Sequence, residues 1–109
     1  MLQKGLNESD IEQGDIVLVD FSYSDLKRSK LRPALVMSNS MYNSTSLDVV
    51  ALRITSKQKR RWAVKITNKD VENGFLEIES YVKINSIFTI ENVLIAKIVG
   101  NYVRRKLTR

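Results

Sequence analysis

The chain has no cysteine and no histidine among its 109 residues. The first absence excludes disulfides, thiolate catalysis and Cys-based zinc sites together. The second removes the side chain most used as a general base and as a transition-metal ligand. Any chemistry must then be carried by carboxylates, amides, hydroxyls, Arg or Lys, and no metal or other cofactor is expected. Proline occurs once and glycine four times, too few for a fibrous or Pro/Gly-rich disordered chain. No unbroken apolar run exceeds four residues, far short of the ~20 needed to span a membrane as a helix. Met1-Leu2-Gln3-Lys4 also lacks the apolar core of a signal peptide. A cytoplasmic protein with no membrane segment is expected.

What is present is an ordinary globular composition, 43% hydrophobic and 28% charged, in a chain long enough to bury roughly two thirds of its unfolded surface around one core. The net charge is +6, which favours a polyanionic or acidic partner over a neutral substrate. Short β-branched segments recur: Ile16–Val19, Ala34–Met37, Val49–Leu52, Trp62–Ile66, Phe75–Ile78, Ser80–Ile84, Ile87–Ile90 and Val93–Val99. Such pieces, separated by turns, indicate a mainly β fold, a small barrel or sandwich, with short helical segments. Asn73-Gly74 is a strong turn signal, and Ser38–Ser46 is a polar connection with room for one helical turn.

Three parts are expected along the chain. Residues 1–13 form an N-terminal arm with a helical turn capped by Ser9 or Asp10 as one option. Residues 14–100 form the barrel domain, and Gly100 is expected to break the strand pattern. Residues 101–109 are a basic tail.

The cations are unevenly spread. Lys27, Arg28, Lys30 and Arg32 crowd the mouth of the second strand, and Lys57, Lys59, Arg60 and Arg61 follow the third, so eight of the 18 cationic residues lie in two short loops. Either run alone is equally well read as solvated loop surface; two runs flanking one strand pair suggest a phosphate seat. Pro33 belongs at a strand start or edge because it has no backbone donor, and it forces Arg32 into extended geometry. The loop from Ser22 to Lys30 exceeds the usual hairpin connection, as functional loops often do.

Gly14–Phe21, Leu31–Val36, Ser38-Asn39, Ile54–Ser56, and Ser80–Ile84 with Phe88–Ile90 resemble, in order and spacing, the PemK/MazF-like toxins of prokaryotic toxin–antitoxin pairs. The resemblance implies an SH3-like barrel, a homodimer, inhibition by a small acidic antitoxin, and metal-independent cleavage of single-stranded RNA at short sequences. On this resemblance Arg32 matches the catalytic arginine and Thr55 the hydroxyl residue that ends the third strand. Where some members carry an Arg and an Asp that acts as general base, this chain has Lys83 and Asn85. Lys83 can still stabilise phosphate, but neutral Asn85 cannot take up a proton effectively. The base is therefore unassigned, with Asp25 and Glu79 as candidates by chemistry alone.

RNA would be held by Lys27, Arg28, Lys30, Lys57, Lys59, Arg60, Arg61, Lys83 and Asn85, with Tyr23, Tyr42 and Trp62 available to stack on bases. Trp62 is equally suited to packing in the barrel or across a dimer interface. Two rival functions keep the same barrel: a non-catalytic module binding nucleic acid or protein, and a toxin with a protein target.

Overall fold

The computed structural model describes residues 11–21, 30–57 and 61–103. Seven strands form one antiparallel sheet: β1 (Asp15–Asp20), β2 (Leu31–Val36), β3 (Asp48–Thr55), β4 (Ala63–Ile66), β5 (Val71–Glu72), β6 (Ser80–Glu91) and β7 (Ile95–Tyr102). The spatial order is β4-β6-β3-β2-β1-β7-β5, and the sheet curls into a half-barrel with few helical pieces. The mainly β expectation is thus met, with β4 and β5 as the sheet edges.

Both faces of the curled sheet are apolar. Val17, Val19, Ala34, Val36, Val49, Ala51 and Ile90 pack with Ile11 and Ile95 on one face. Ile16, Leu35, Leu52, Ile54, Ile66 and Val82 form a second cluster on the other. Successive strand residues point to opposite faces, so a strand buried on both sides reads as an unbroken apolar run. That explains why the central strands lack the alternation of a one-sided sheet. Register shifts between β1 and β7, at Ile16/Val17 and Leu18/Val19, add residues to β7 and strengthen its twist, as β-bulges do.

The connection after β2 contains the expected helical turn, α1 (Ser40–Thr45), with the Asn39 side chain accepting the Tyr42 N–H. Ser38 and Asn43 lock it down. The buried Asn43 amide donates to the Ile11 and Ser38 carbonyls, each at 3.0 Å, and Ser38 Oγ donates to Asn43 Oδ1 while accepting the Val50 N–H. The Ser38-Asn39 pair is therefore architectural: it caps α1 and ties it to β3.

Three expected boundaries are corrected. Phe75–Ile78 is not a strand; Phe75 and Ile78 are exposed. Ser80–Ile84 and Ile87–Ile90 are one twelve-residue strand, β6, whose register against β3 jumps in the middle. Gly100 does not end the pattern, because β7 runs through it to Tyr102. The arm's Ser9 and Asp10, and the tail from residue 104, lie outside the described residues.

Asp15, at the start of β1, is buried. Its carboxylate accepts the Glu12 N–H at 2.9 Å and the Asn101 side-chain amide. Burial pushes its pKa up; these hydrogen bonds oppose the shift and nearby Glu12 adds to it. A carboxyl whose folded pKa is raised contributes stability that is complete below its unfolded pKa of about 3.9 and is lost as pH rises through the folded value. Asp15→Asn removes this loss. The stability of the variant relative to the unaltered protein, from urea denaturation, is expected to increase as pH rises across that window; a constant difference would rule out Asp15 as the cause.

Candidate nucleic-acid interface

The site is built where β2 and β3 separate. Their ladder ends with Ala34 opposite Arg53; Arg32 and Thr55 lie two residues beyond that pair, each on its own strand. Arg32 lies opposite Val19 of β1 and Thr55 opposite Tyr81 of β6. All of these share one sheet face by the strand period of two. On the same face Lys83 lies opposite Ala63, and Lys65 opposite Tyr81. The upper half of this face is the apolar cluster around Val36, Val49 and Ala51; its lower end carries Arg32, Arg53, Thr55, Lys65 and Lys83.

Arg32 is exposed at the start of β2, just before Pro33, which cannot donate to a ladder. The adjoining loop is closed at its base by the Phe21 N–H donating to the Lys30 carbonyl at 2.8 Å. Thr55 is half-buried, and its Oγ1 accepts the Lys57 N–H at 3.1 Å. A hydroxyl fixed as an acceptor in this way still has its own hydrogen to donate to a phosphate oxygen.

The register jump in β6 sets the far wall. Leu52 faces Ile87, but Ile54 faces Val82, so the stretch Lys83–Ser86 lies opposite Arg53 alone. In that stretch Asn85 is exposed, Ser86 Oγ accepts from Arg53 Nε at 3.3 Å, and the Ile84 N–H donates to the Trp62 carbonyl. The Arg53 guanidinium lies 4.9 Å from the centre of the Phe88 ring, which in turn stacks on Phe21 at 6.2 Å.

The structure therefore brings Arg32, Thr55 and Lys83 to one face; Asn85 lies in the stretch of β6 where the register jumps. Lys30, Lys57 and Arg61 border it in the loops; Lys27, Arg28, Lys59 and Arg60, together with Asp25 and Tyr23, lie outside the described residues. Glu79 forms an ion pair with Lys65 at 3.5 Å. Trp62 is 60% exposed, with the Arg61 guanidinium 6.0 Å from its ring, so it is not a core residue of this chain. The Tyr42 hydroxyl donates to Asp48 at 2.7 Å, which directs it to the α1–β3 corner. Arg53 carries no motif of its own in the sequence. The available signal was its place two residues before Thr55 in a strand, hence on the same face.

Comparisons with known proteins bear on the family and the fold. A family model described as "PemK-like, MazF-like toxin of type II toxin-antitoxin system" matches residues 12–109. Among solved structures, an endoribonuclease from mycobacterial species superposes with a TM-score of 0.70 at 20% identity, covering 95% of this chain and 85% of its own. An endoribonuclease in complex with its cognate antitoxin, also mycobacterial, gives 0.70 at 21% identity, covering 89% and 84%. At such identities these likenesses show the shared fold. A search of curated protein sequences finds no match.

Proposed function

The chain belongs to the PemK-like, MazF-like toxins of type II toxin–antitoxin systems, and on that premise we propose that it is a metal-independent endoribonuclease that cleaves single-stranded RNA at short sequences. The observation that supports this reading is the strand pairing that puts Arg32, Thr55 and Lys83 on one cationic face of the sheet. In the cleavage step the ribose 2′-oxygen attacks the adjacent phosphorus. The P–O2′ bond forms and the P–O5′ bond breaks, giving a 2′,3′-cyclic phosphate. The 2′-hydroxyl proton passes to a base and the departing 5′-oxygen takes up a proton.

Arg32 provides a planar fork that binds two phosphate oxygens at once and stabilises the charge that develops in the phosphorane. Thr55 donates a hydrogen bond to one of the same two non-bridging oxygens, and Lys83 adds positive charge from β6. The base is not assigned among the described residues: Glu79 is paired with Lys65. Positioning of the 2′-oxygen in line with the leaving group itself supplies part of the rate.

The partners follow the same electrostatics. A basic face that accepts RNA also attracts an acidic antitoxin segment, so the two are expected to compete. A homodimer is supported by large apolar side chains left on the surface, among them Leu31 and Ile87 at 50% and 67% exposure. No helix of the described residues is long and apolar enough to cross a membrane, which is compatible with action in the cytoplasm on RNA.

Purified protein incubated in EDTA with mixed-sequence single-stranded RNA is expected to cleave it. RNA bound but left intact would favour a non-catalytic binding module, the reading that neutral Asn85 favours. If about five phosphates are neutralised, log affinity is expected to fall against log salt with a slope near −3.5; a slope near zero would exclude the cationic face as the RNA site.

A further inference from the structure

Resting on the ribonuclease reading, we propose that Arg53 is a second phosphate-binding residue of the site, taking the backbone phosphate next to the one held at Arg32. Arg53 lies opposite Ala34, so Arg32, two residues along β2, is its diagonal neighbour on the same face. On a continuous ladder side chains in that relation sit about 7–8 Å apart; here Arg32 stands just past the last β2–β3 pair. Two cations so placed would repel if they were left to crowd one site. Each serves best with a phosphate of its own.

The guanidinium is held before any ligand arrives. One flat side lies over Phe88, which is buttressed by Phe21, and Nε donates to Ser86 Oγ. These contacts use the ring face and one of the five N–H donors. The other four belong to the two terminal nitrogens, at the end away from Nε, on a residue exposed to solvent. A guanidinium fixed in this way loses less side-chain freedom on binding than a free surface arginine.

The cationic end also lies where the ladder opens. Beyond Ala34 and Arg53 the β2–β3 pairing stops, and β6 departs from register over the same level. Past that point β2 stays paired with β1 and β3 with β6, but no ladder joins β2 to β3. A single strand of RNA running from Arg32 past Arg53 would follow this opening toward β6.

The test pairs Arg53→Met, which keeps an unbranched chain over Phe88, with a single-stranded oligonucleotide in which each phosphate in turn is replaced by a neutral methylphosphonate. The oligonucleotide carries 2′-deoxyribose at the cleaved position, so affinity is read without turnover. The unaltered protein is expected to lose about tenfold to a hundredfold in affinity when the phosphate next to the scissile one is neutralised. In Arg53→Met that sensitivity is expected to disappear, while sensitivity at the scissile phosphate persists. The salt slope should become shallower by about 0.7, with Arg53→Lys regaining part of the binding. On cleavable RNA the loss is expected in KM more than in kcat.

If Arg53→Met keeps the full methylphosphonate profile of the unaltered protein, Arg53 only buttresses Phe88, and this inference fails while the ribonuclease reading stands. Failure of the unaltered protein to bind the oligonucleotide would overturn both.

Discussion

Arg32→Ala is expected to lower kcat for RNA cleavage about 10²–10³-fold, the usual cost of removing one preorganised donor from a developing oxyanion, or about 2.7–4 kcal/mol. Arg32 is exposed at the start of β2, so its truncation opens no cavity in the core and leaves no buried polar group unpaired; surface changes of this kind usually shift stability by less than about 0.5 kcal/mol. A loss of activity with an unchanged Tm therefore assigns the defect to chemistry. Arg32→Lys retains the charge but not the two-pronged geometry, and should recover only part of the rate. Rapid-quench measurement of single-turnover cleavage, with thermal unfolding of the same samples, checks both statements. An Arg32→Ala protein with near-normal kcat would remove the arginine from the centre of the site.

The second large effect is on the fold. Gly74→Ala is expected to destabilise the protein by about 3 kcal/mol or more, at the upper end of overpacking costs, lowering Tm by roughly 10–20 °C. A Cβ on Gly74 would sit 1.7 Å from the Val99 carbonyl oxygen and 2.7 Å from its carbon. Both are backbone atoms of β7, so no side chain can turn aside to make room. The preceding Asn73 takes the left-handed conformation, with φ of 58°, and its side-chain amide donates to Asn101 at 2.8 Å. The sequence signal Asn73-Gly74 thus marks a real turn, but Asn73 takes the left-handed position and glycine is needed there for the close approach to β7. Differential scanning calorimetry of Gly74→Ala measures the cost; an unchanged Tm would mean that the turn has slack the backbone geometry does not suggest.

How much could be read in advance differs between the fold and the site. β1, β2 and β3 were visible because burial on both faces leaves apolar runs, and α1 because Ser38–Ser46 is polar between two of them. β6 was divided into two strands because Asn85-Ser86 interrupts its apolar residues. In the folded chain that interruption is the register jump itself, a tertiary feature with no local sequence signature. Phe75–Ile78 has strand-like composition but forms no strand, since β propensity reports fit to a pleated surface and no neighbouring strand receives it.

Arg32 and Thr55 could be picked out through the family resemblance, whereas their place on one sheet face follows from the strand pairing, which no local pattern specifies. Arg53 was hidden for the same reason. Inside Val49–Thr55 it reads as one polar residue in a strand, and only the pairing with Ala34 and the ring of Phe88 set it beside Arg32.

On this cationic face the ribose 2′-oxygen is expected to attack the phosphate without help from a metal. The most direct measurement is the chemical identity of the product ends after cleavage of a defined single-stranded RNA in EDTA, read by mass spectrometry. A 2′,3′-cyclic phosphate paired with a 5′-hydroxyl is the predicted result; a 3′-hydroxyl with a 5′-phosphate would mean that water or an external nucleophile attacked from the other side, and would contradict it.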